Sequence, residues 1–233
     1  VLLGNEETKK YFAGAISAGK LAHAYIFEGA AGSGKKTLAR GICMLMACCE
    51  HGDEPCGLCE NCVAVAHGTC PDIHMLTVEE GKKTIGVDEV RDFFATASLT
   101  PSVLDFKAYI IDKADTLTLQ AQNALLKIIE EPPSYTYIFL LCENSEKLLL
   151  TVRSRAQKII MQAFEAPEIE EYIKKSGAPQ LTLTFDKIGE IAGVPLDHSF
   201  LKYKNELLTY GYEVKKISMK TQTVLFVKSD FGN

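Results

Sequence analysis

The stretch that decides the fold is His23-Ala24-Tyr25-Ile26-Phe27-Glu28-Gly29-Ala30-Ala31-Gly32-Ser33-Gly34-Lys35-Lys36-Thr37-Leu38. Residues 23–28 are apolar enough for a strand buried on both faces. Gly29, Gly32 and Gly34 then supply the backbone freedom of a tight turn. Residues 35–48 place Leu38, Ile42, Leu45 and Met46 on one side, the spacing of an amphipathic helix. Strand, glycine-rich turn and helix, with G-x-x-x-x-G-K across the turn, are the setting of a phosphate-binding loop. Loop amides and the helix N-terminus favour an anion there, and Lys35 stands where the phosphate-binding lysine belongs. A glycine-rich turn without a ligand is the plainer alternative.

The next position bears on the chemistry. A hydrolysing site of this kind holds magnesium through a Ser or Thr hydroxyl directly after the lysine. Here that residue is Lys36, and Thr37 comes one residue late, about 100° further round the helix. Residues 107–112 read as a strand ending on Asp112, a candidate metal-side carboxylate. The residue after it is Lys113, where hydrolytic relatives of such loops keep a Glu to activate water. Two substitutions in two separate elements point to a nucleotide fold without the hydrolysis step. ATP or ADP remains a candidate ligand of Gly29, Gly32, Gly34, Lys35, Lys36, Thr37 and Asp112.

Outward from this stretch the pattern alternates. Helices are expected at 5–18, 87–97, 118–130 and 145–153, and strands at 73–78, 107–112, 136–142 and 156–161. Pro132 and Pro133 stop the third of these helices. The expectation is a doubly wound α/β domain over 1–165. A short helix over 167–175 and a linker near 177–179 occupy 166–180. Residues 181–233 form a small α+β module, with helices at 185–192 and 198–210 and strands at 212–218 and 222–228, an order compatible with a winged helix. Seven Lys against six Asp or Glu in that segment is too weak a balance to assert DNA binding.

The string Cys48-Cys49-Glu50-His51-Gly52-Asp53-Glu54-Pro55-Cys56-Gly57-Leu58-Cys59-Glu60-Asn61-Cys62 holds five of the eight cysteines. Cys56, Cys59 and Cys62 form a C-x2-C-x2-C run, and zinc takes four soft ligands in a tetrahedron. Cys49 is the preferred fourth ligand of a zinc module at about 48–70, Cys48 also qualifies, and His51 and Cys70 compete. An iron–sulfur cluster and free thiols of a reducing compartment are the alternatives. A four-thiolate zinc has no open position, so its role is structural.

At 233 residues, 47% apolar and 24% charged, the chain has the composition of an ordinary globular protein with one full domain and a smaller one. Its longest apolar runs are too short to span a bilayer. No secretory signal pattern opens it, so a cytoplasmic location is expected. A net charge of −5 argues against strong autonomous nucleic-acid binding. Arg155, after Ser154 at the end of helix 145–153, is a surface charge or an arginine that reaches a neighbour's phosphate.

Gly29 to Lys36, the cysteine insertion, GTCPDIHML, IGVDEVRDF, IIDKADTLTLQAQNALLKIIEEPP and VRSRAQKI together resemble the AAA+ clamp-loader subunits of the bacterial DNA polymerase III holoenzyme, over about residues 4–164. Lys36 and Lys113 favour the delta-prime branch over the gamma/tau motor, which keeps GKT or GKS and an Asp-Glu pair. The resemblance implies a subunit that is not catalytic alone. It would sit in a ring with gamma/tau and delta subunits and help place the sliding clamp on primed DNA. Arg155, with Ser154, matches the Ser-Arg-Cys motif whose arginine acts in trans on ATP held by the adjacent motor, although the third residue here is Ala156. The family places its first zinc cysteine at what is Ala47 here. Residues 181–233 do not read as the family's helical lid and collar.

Overall fold

The computed structural model describes residues 6–31, 33–79, 81–161, 180–184, 212–218 and 223–228. In chain order the first part runs α1 (Glu6–Ser17), β1 (Ala24–Glu28), α2 (Lys35–Ala47), α3 (Glu60–His67), β2 (Ile73–Leu76), α4 (Val87–Phe93), β3 (Lys107–Ile111), α5 (Leu119–Glu130), β4 (Thr136–Cys142), α6 (Leu150–Arg153) and β5 (Gln157–Ile160). Single 3-10 turns lie at Ala114–Thr116 and Ser145–Lys147.

The strands form one sheet in the order β2-β3-β4-β1-β5, and every neighbouring pair is parallel. β1 lies between β4 and β5, with Ile26 opposite Leu140 on one side and Lys158 on the other. From β1 the chain crosses to the far edge at β2, and from β4 it passes over β1 to reach β5. The connections therefore reverse direction beside β1, and open α/β sheets bind ligands beyond the strand ends at such a reversal. The glycine-rich loop leaves β1 at that point.

Both faces of the sheet are covered, as its apolar strands require. On one face Ile26, Tyr109, Ile111, Ile138 and Leu140 pack with Val90, Phe94, Ala121, Leu125 and Ile129 from the α4 and α5 side. On the other, Phe12 of α1 meets Tyr25 and Phe27 at ring separations of 4.9 and 5.8 Å, and Phe139 stacks on Tyr25 at 5.9 Å. Asp72, fully buried ahead of β2, accepts the peptide N–H groups of Ser102 (2.7 Å), Val103 (2.7 Å) and Leu104 (2.9 Å). Burial works against its charge, yet these three bonds hold its carboxyl below the ordinary Asp range.

Beyond shifts of a residue or two at element ends, two expected helices are shorter or split and one helix was not expected. The helix expected over 87–97 ends at Phe93; beyond it Ala95 N and Ala97 N bond only three residues back, to the Asp92 and Phe94 carbonyls, as in tighter turns, and the Thr96 and Ser98 carbonyls accept Lys107 Nζ (2.8 Å) and Tyr135 Oη (2.9 Å). The helix expected over 145–153 is split at Leu148 and Leu149. There the buried Gln122 accepts from Leu149 N (2.6 Å) and donates to the Lys147 carbonyl (3.2 Å), diverting those groups from a helix ladder. Residues 60–67, expected to continue the cysteine loop, form α3, capped by the Cys59 thiol, which accepts from Cys62 N.

The chain divides into two compact units, Asn5–Gln162 and the remainder. In the second, β6 (Gln180–Thr184), β7 (Tyr212–Ser218) and β8 (Thr223–Lys228) form an antiparallel sheet in the order β6-β8-β7. Residues 180–184, expected as the edge of a linker and the module's start, are a strand because Leu183, opposite Val224, and Leu181, opposite Phe226, share its apolar face. The hairpin expected over 212–228 forms β7 and β8. The helices expected at 167–175, 185–192 and 198–210, and with them the winged-helix order, lie outside the described residues. Among the described residues no helix is long and apolar enough to cross a membrane.

Candidate functional site

The turn after β1 is built on close approach. A Cβ added at Gly29 would lie 2.7 Å from Ser33 Oγ and 2.9 Å from Met161 Cβ, so glycine alone fits. Gly34 opens α2 at a φ of 80°, a left-handed conformation glycine adopts without penalty. Gly32 lies outside the described residues. The Lys35 ammonium folds back under the turn and donates to Gly29 O (2.6 Å), Ala30 O (2.7 Å) and Ser33 Oγ (3.3 Å). Burial lowers its pKa, opposed by the nearby Glu143 and Asp112 charges.

Lys36 reaches across to the end of β3, where its Nζ lies 2.9 Å from Asp112 Oδ2. Thr77 Oγ1 donates to the same oxygen at 3.3 Å. Asp112 is 8% exposed, so the carboxylate expected on the metal side is buried against an ammonium and a hydroxyl. An ammonium has three donors and no lone pair and cannot ligate magnesium. It also brings one positive charge where the ion brings two. Lys113 follows with a left-handed φ of 54°, offering no carboxylate to polarise a water. Thr37 sits on the first turn of α2, partly buried.

Ser154 caps α6 and Arg155 follows it. Arg155 Nη1 donates to Thr151 O (3.0 Å) and Ser154 Oγ (3.4 Å), and Nη2 lies 3.0 Å from Glu130 Oε1 at the end of α5. The Arg155 side chain is 40% exposed. Arg153, two residues earlier, pairs with Glu146 instead. The partners of Arg155 come from α5 and α6, and those of Lys35 and Lys36 from the glycine-rich turn and β3.

In the cysteine loop the structure gathers a different fourth sulfur from the one expected. The sulfurs of Cys48, Cys56, Cys59 and Cys62 lie within 4.8 Å of one another; Cys49 is not among them. Cys48 is 1% exposed and turns the chain out of α2 in an extended conformation, which brings its sulfur onto Cys56 N at 3.3 Å. Cys49 is exposed, and its sulfur accepts from Asn61 Nδ2 at 3.7 Å. His51 is exposed, with a left-handed φ of 47°, and neither it nor Cys70 joins the cluster. Further N–H···S bonds run from Cys59 to Cys56 (3.3 Å) and from Cys62 to Cys59 (3.4 Å). The amide of Cys49 helps hold the Cys59 thiol down at about 6, whereas burial pushes the Cys62 thiol up to about 12.

These sulfurs fit a zinc ion. Zn–S bonds of about 2.3 Å in a tetrahedron set sulfurs about 3.8 Å apart, and no two of these sulfurs are more than 4.8 Å apart. The N–H···S bonds supply the outer support that orients thiolate ligands. Four sulfurs leave no position for substrate, so the ion would fasten the loop between α2 and α3.

Comparison with known proteins supplies the context. Residues 4–165 match the family described as "DNA polymerase III, delta subunit". The chain belongs to that family. It is 36% identical to the DNA polymerase III subunit tau of Bacillus subtilis over 159 residues, 67% of this chain and 28% of that one. It is 35% identical to subunit delta' of the same organism over 157 residues, 67% of this chain and 47% of that one. Against subunit tau of Escherichia coli the identity is 31% over 175 residues, 74% of this chain and 27% of that one. The chain thus spans about a quarter to a half of the relatives it matches. Among solved structures, a DNA polymerase III gamma subunit-related protein of Thermotoga maritima aligns with a TM-score of 0.49 and 19% identity, covering 79% of this chain and 51% of that chain.

Three residues of consequence escaped the sequence reading. Thr77 carries no motif and meets Asp112 only because β2 pairs with β3. Gln122 and Glu130 lie within the helix expected over 118–130 without being singled out there, yet Gln122 is 2% exposed and Glu130 holds Arg155.

Proposed function

We propose that this member of the family is a non-hydrolysing subunit of the DNA polymerase III clamp loader. It would supply Arg155 in trans to ATP held by a neighbouring gamma/tau-type motor, and a docking surface for the gamma/tau and delta subunits that load the sliding clamp onto primed DNA. The Lys36–Asp112 ion pair at 2.9 Å carries the reading. Hydrolysis at the glycine-rich turn needs a divalent ion between the turn and a carboxylate, and a group to orient water. Here the carboxylate is paired with Lys36, and the water-orienting position is Lys113. ATP or ADP binding without turnover is compatible with Lys35 and the turn.

Arg155 suits the trans role. Its planar fork can take two phosphate oxygens together, and its exposure leaves it reachable from another subunit. Zinc on Cys48, Cys56, Cys59 and Cys62 would be a structural cofactor. The rival reading, a hydrolysing motor subunit, has the comparable identities to tau in its favour, but it leaves Lys36 and Lys113 without a role. The test is the ATPase of the reconstituted complex with motor and delta subunits. Arg155→Ala should lower turnover at least tenfold while assembly persists; unchanged turnover would remove the trans-acting claim.

A further inference from the structure

Glu130 is the last residue of α5, one position before Glu131-Pro132-Pro133 ends that segment. Its Oε1 lies 3.0 Å from Arg155 Nη2, while Nη1 on the same guanidinium donates to Thr151 O at 3.0 Å and Ser154 Oγ at 3.4 Å. The plane of the fork is therefore set from two elements, α5 and the end of α6. A guanidinium has five N–H donors, so these three contacts leave two for phosphate oxygens.

The same helix also grips the start of the arginine's segment. Gln122, eight residues before Glu130 and about 12 Å away along α5, holds Leu149 N at 2.6 Å and the carbonyls of Leu117 (3.1 Å) and Lys147 (3.2 Å). One rigid helix thus references both ends of 149–155. From this geometry we infer that Glu130 is a positioning residue for Arg155: it presents the guanidinium plane to a phosphate borne by a second subunit. The inference rests on the trans-acting reading above. The Arg155 and Glu130 side chains are 40% and 48% exposed, and an ion pair this open is weak. A phosphate can share the guanidinium with Glu130, whereas a strong buried pair would withhold it. Without the carboxylate, a long side chain on an open turn must be ordered at the moment of reaction, which costs turnover more than nucleotide affinity.

The experiment is steady-state ATP hydrolysis by the full complex carrying Glu130→Gln, Arg155→Ala or both, with melting of this subunit alone as the folding control. The expected result is a fall in kcat of about two- to five-fold for Glu130→Gln, the scale of an exposed ion pair. The KM for ATP and the melting temperature should stay unchanged, and Glu130→Gln should add nothing in the Arg155→Ala background. Unchanged or raised kcat for Glu130→Gln, beside a clear loss for Arg155→Ala, overturns the positioning role and leaves the proposed function standing. A loss that persists in the Arg155→Ala background also overturns it. Unchanged kcat for Arg155→Ala overturns the trans-acting reading itself, and this inference with it.

Discussion

Replacing Cys48 by Ser and, separately, Cys49 by Ser separates two adjacent thiols with opposite expected outcomes. The Cys48 sulfur is buried and belongs to the cluster spanning no more than 4.8 Å; the Cys49 sulfur is exposed and outside it. Structural zinc sites bind with about 10–16 kcal/mol at neutral pH. Divided among four thiolates, the loss of one is about 3 kcal/mol, or at least a hundredfold in affinity. Competition with a chromogenic chelator reads this directly. The wild type and Cys49→Ser should hold one zinc against the chelator, and Cys48→Ser should surrender it. The ligands must be deprotonated, so wild-type zinc should leave as the pH falls. Zinc retained by Cys48→Ser and lost by Cys49→Ser would refute the assignment and return the fourth ligand to the neighbouring thiol.

Lys36→Thr should free Asp112 and restore a hydroxyl, so nucleotide affinity should become magnesium-dependent while stability changes by less than about 1 kcal/mol, the worth of an open ion pair; binding of a fluorescent nucleotide with and without chelator checks it. Asp72→Asn should cost on the order of 3 kcal/mol by weakening three buried acceptor contacts. Because the folded carboxyl of Asp72 lies below its ordinary range, its contribution is complete above the unfolded Asp pKa and disappears as the pH falls through the lowered folded value. The variant's melting temperature should therefore lose part of the wild type's acid-side slope. Gln122→Leu should destabilise by about 1–3 kcal/mol, because it leaves Leu149 N and the Leu117 and Lys147 carbonyls short of a partner, and denaturant melts measure this.

Local pattern carried what local physics decides. The apolar run of β1, the glycines after it and the periodic α2 are set within a few residues, so the strand, turn and helix were legible. So was the run Cys56, Cys59, Cys62, whose spacing alone brings three thiols together. Which sulfur joins them depended on where α2 ends, and a boundary shift of one residue separates Cys48 from Cys49. α3 was hidden because its cap is a cysteine thiol rather than the usual Ser, Thr, Asp or Asn. The break at Leu148 and Leu149 is made by Gln122, 27 residues before Leu149, and no local propensity records such a bond. Lys36 and Lys113 were visible as departures from a motif, but that Lys36 turns onto Asp112 required the sheet order that brings β3 toward α2.

The most direct test of the central claim is ATP turnover by the purified chain alone, with magnesium, at protein concentrations that would detect one cycle per hour. The account predicts none above background, because Lys36 occupies the carboxylate that a magnesium ion would need and Lys113 replaces the group that would orient water. Turnover of about one per second or faster, abolished by Lys35→Ala or Asp112→Asn, would contradict it.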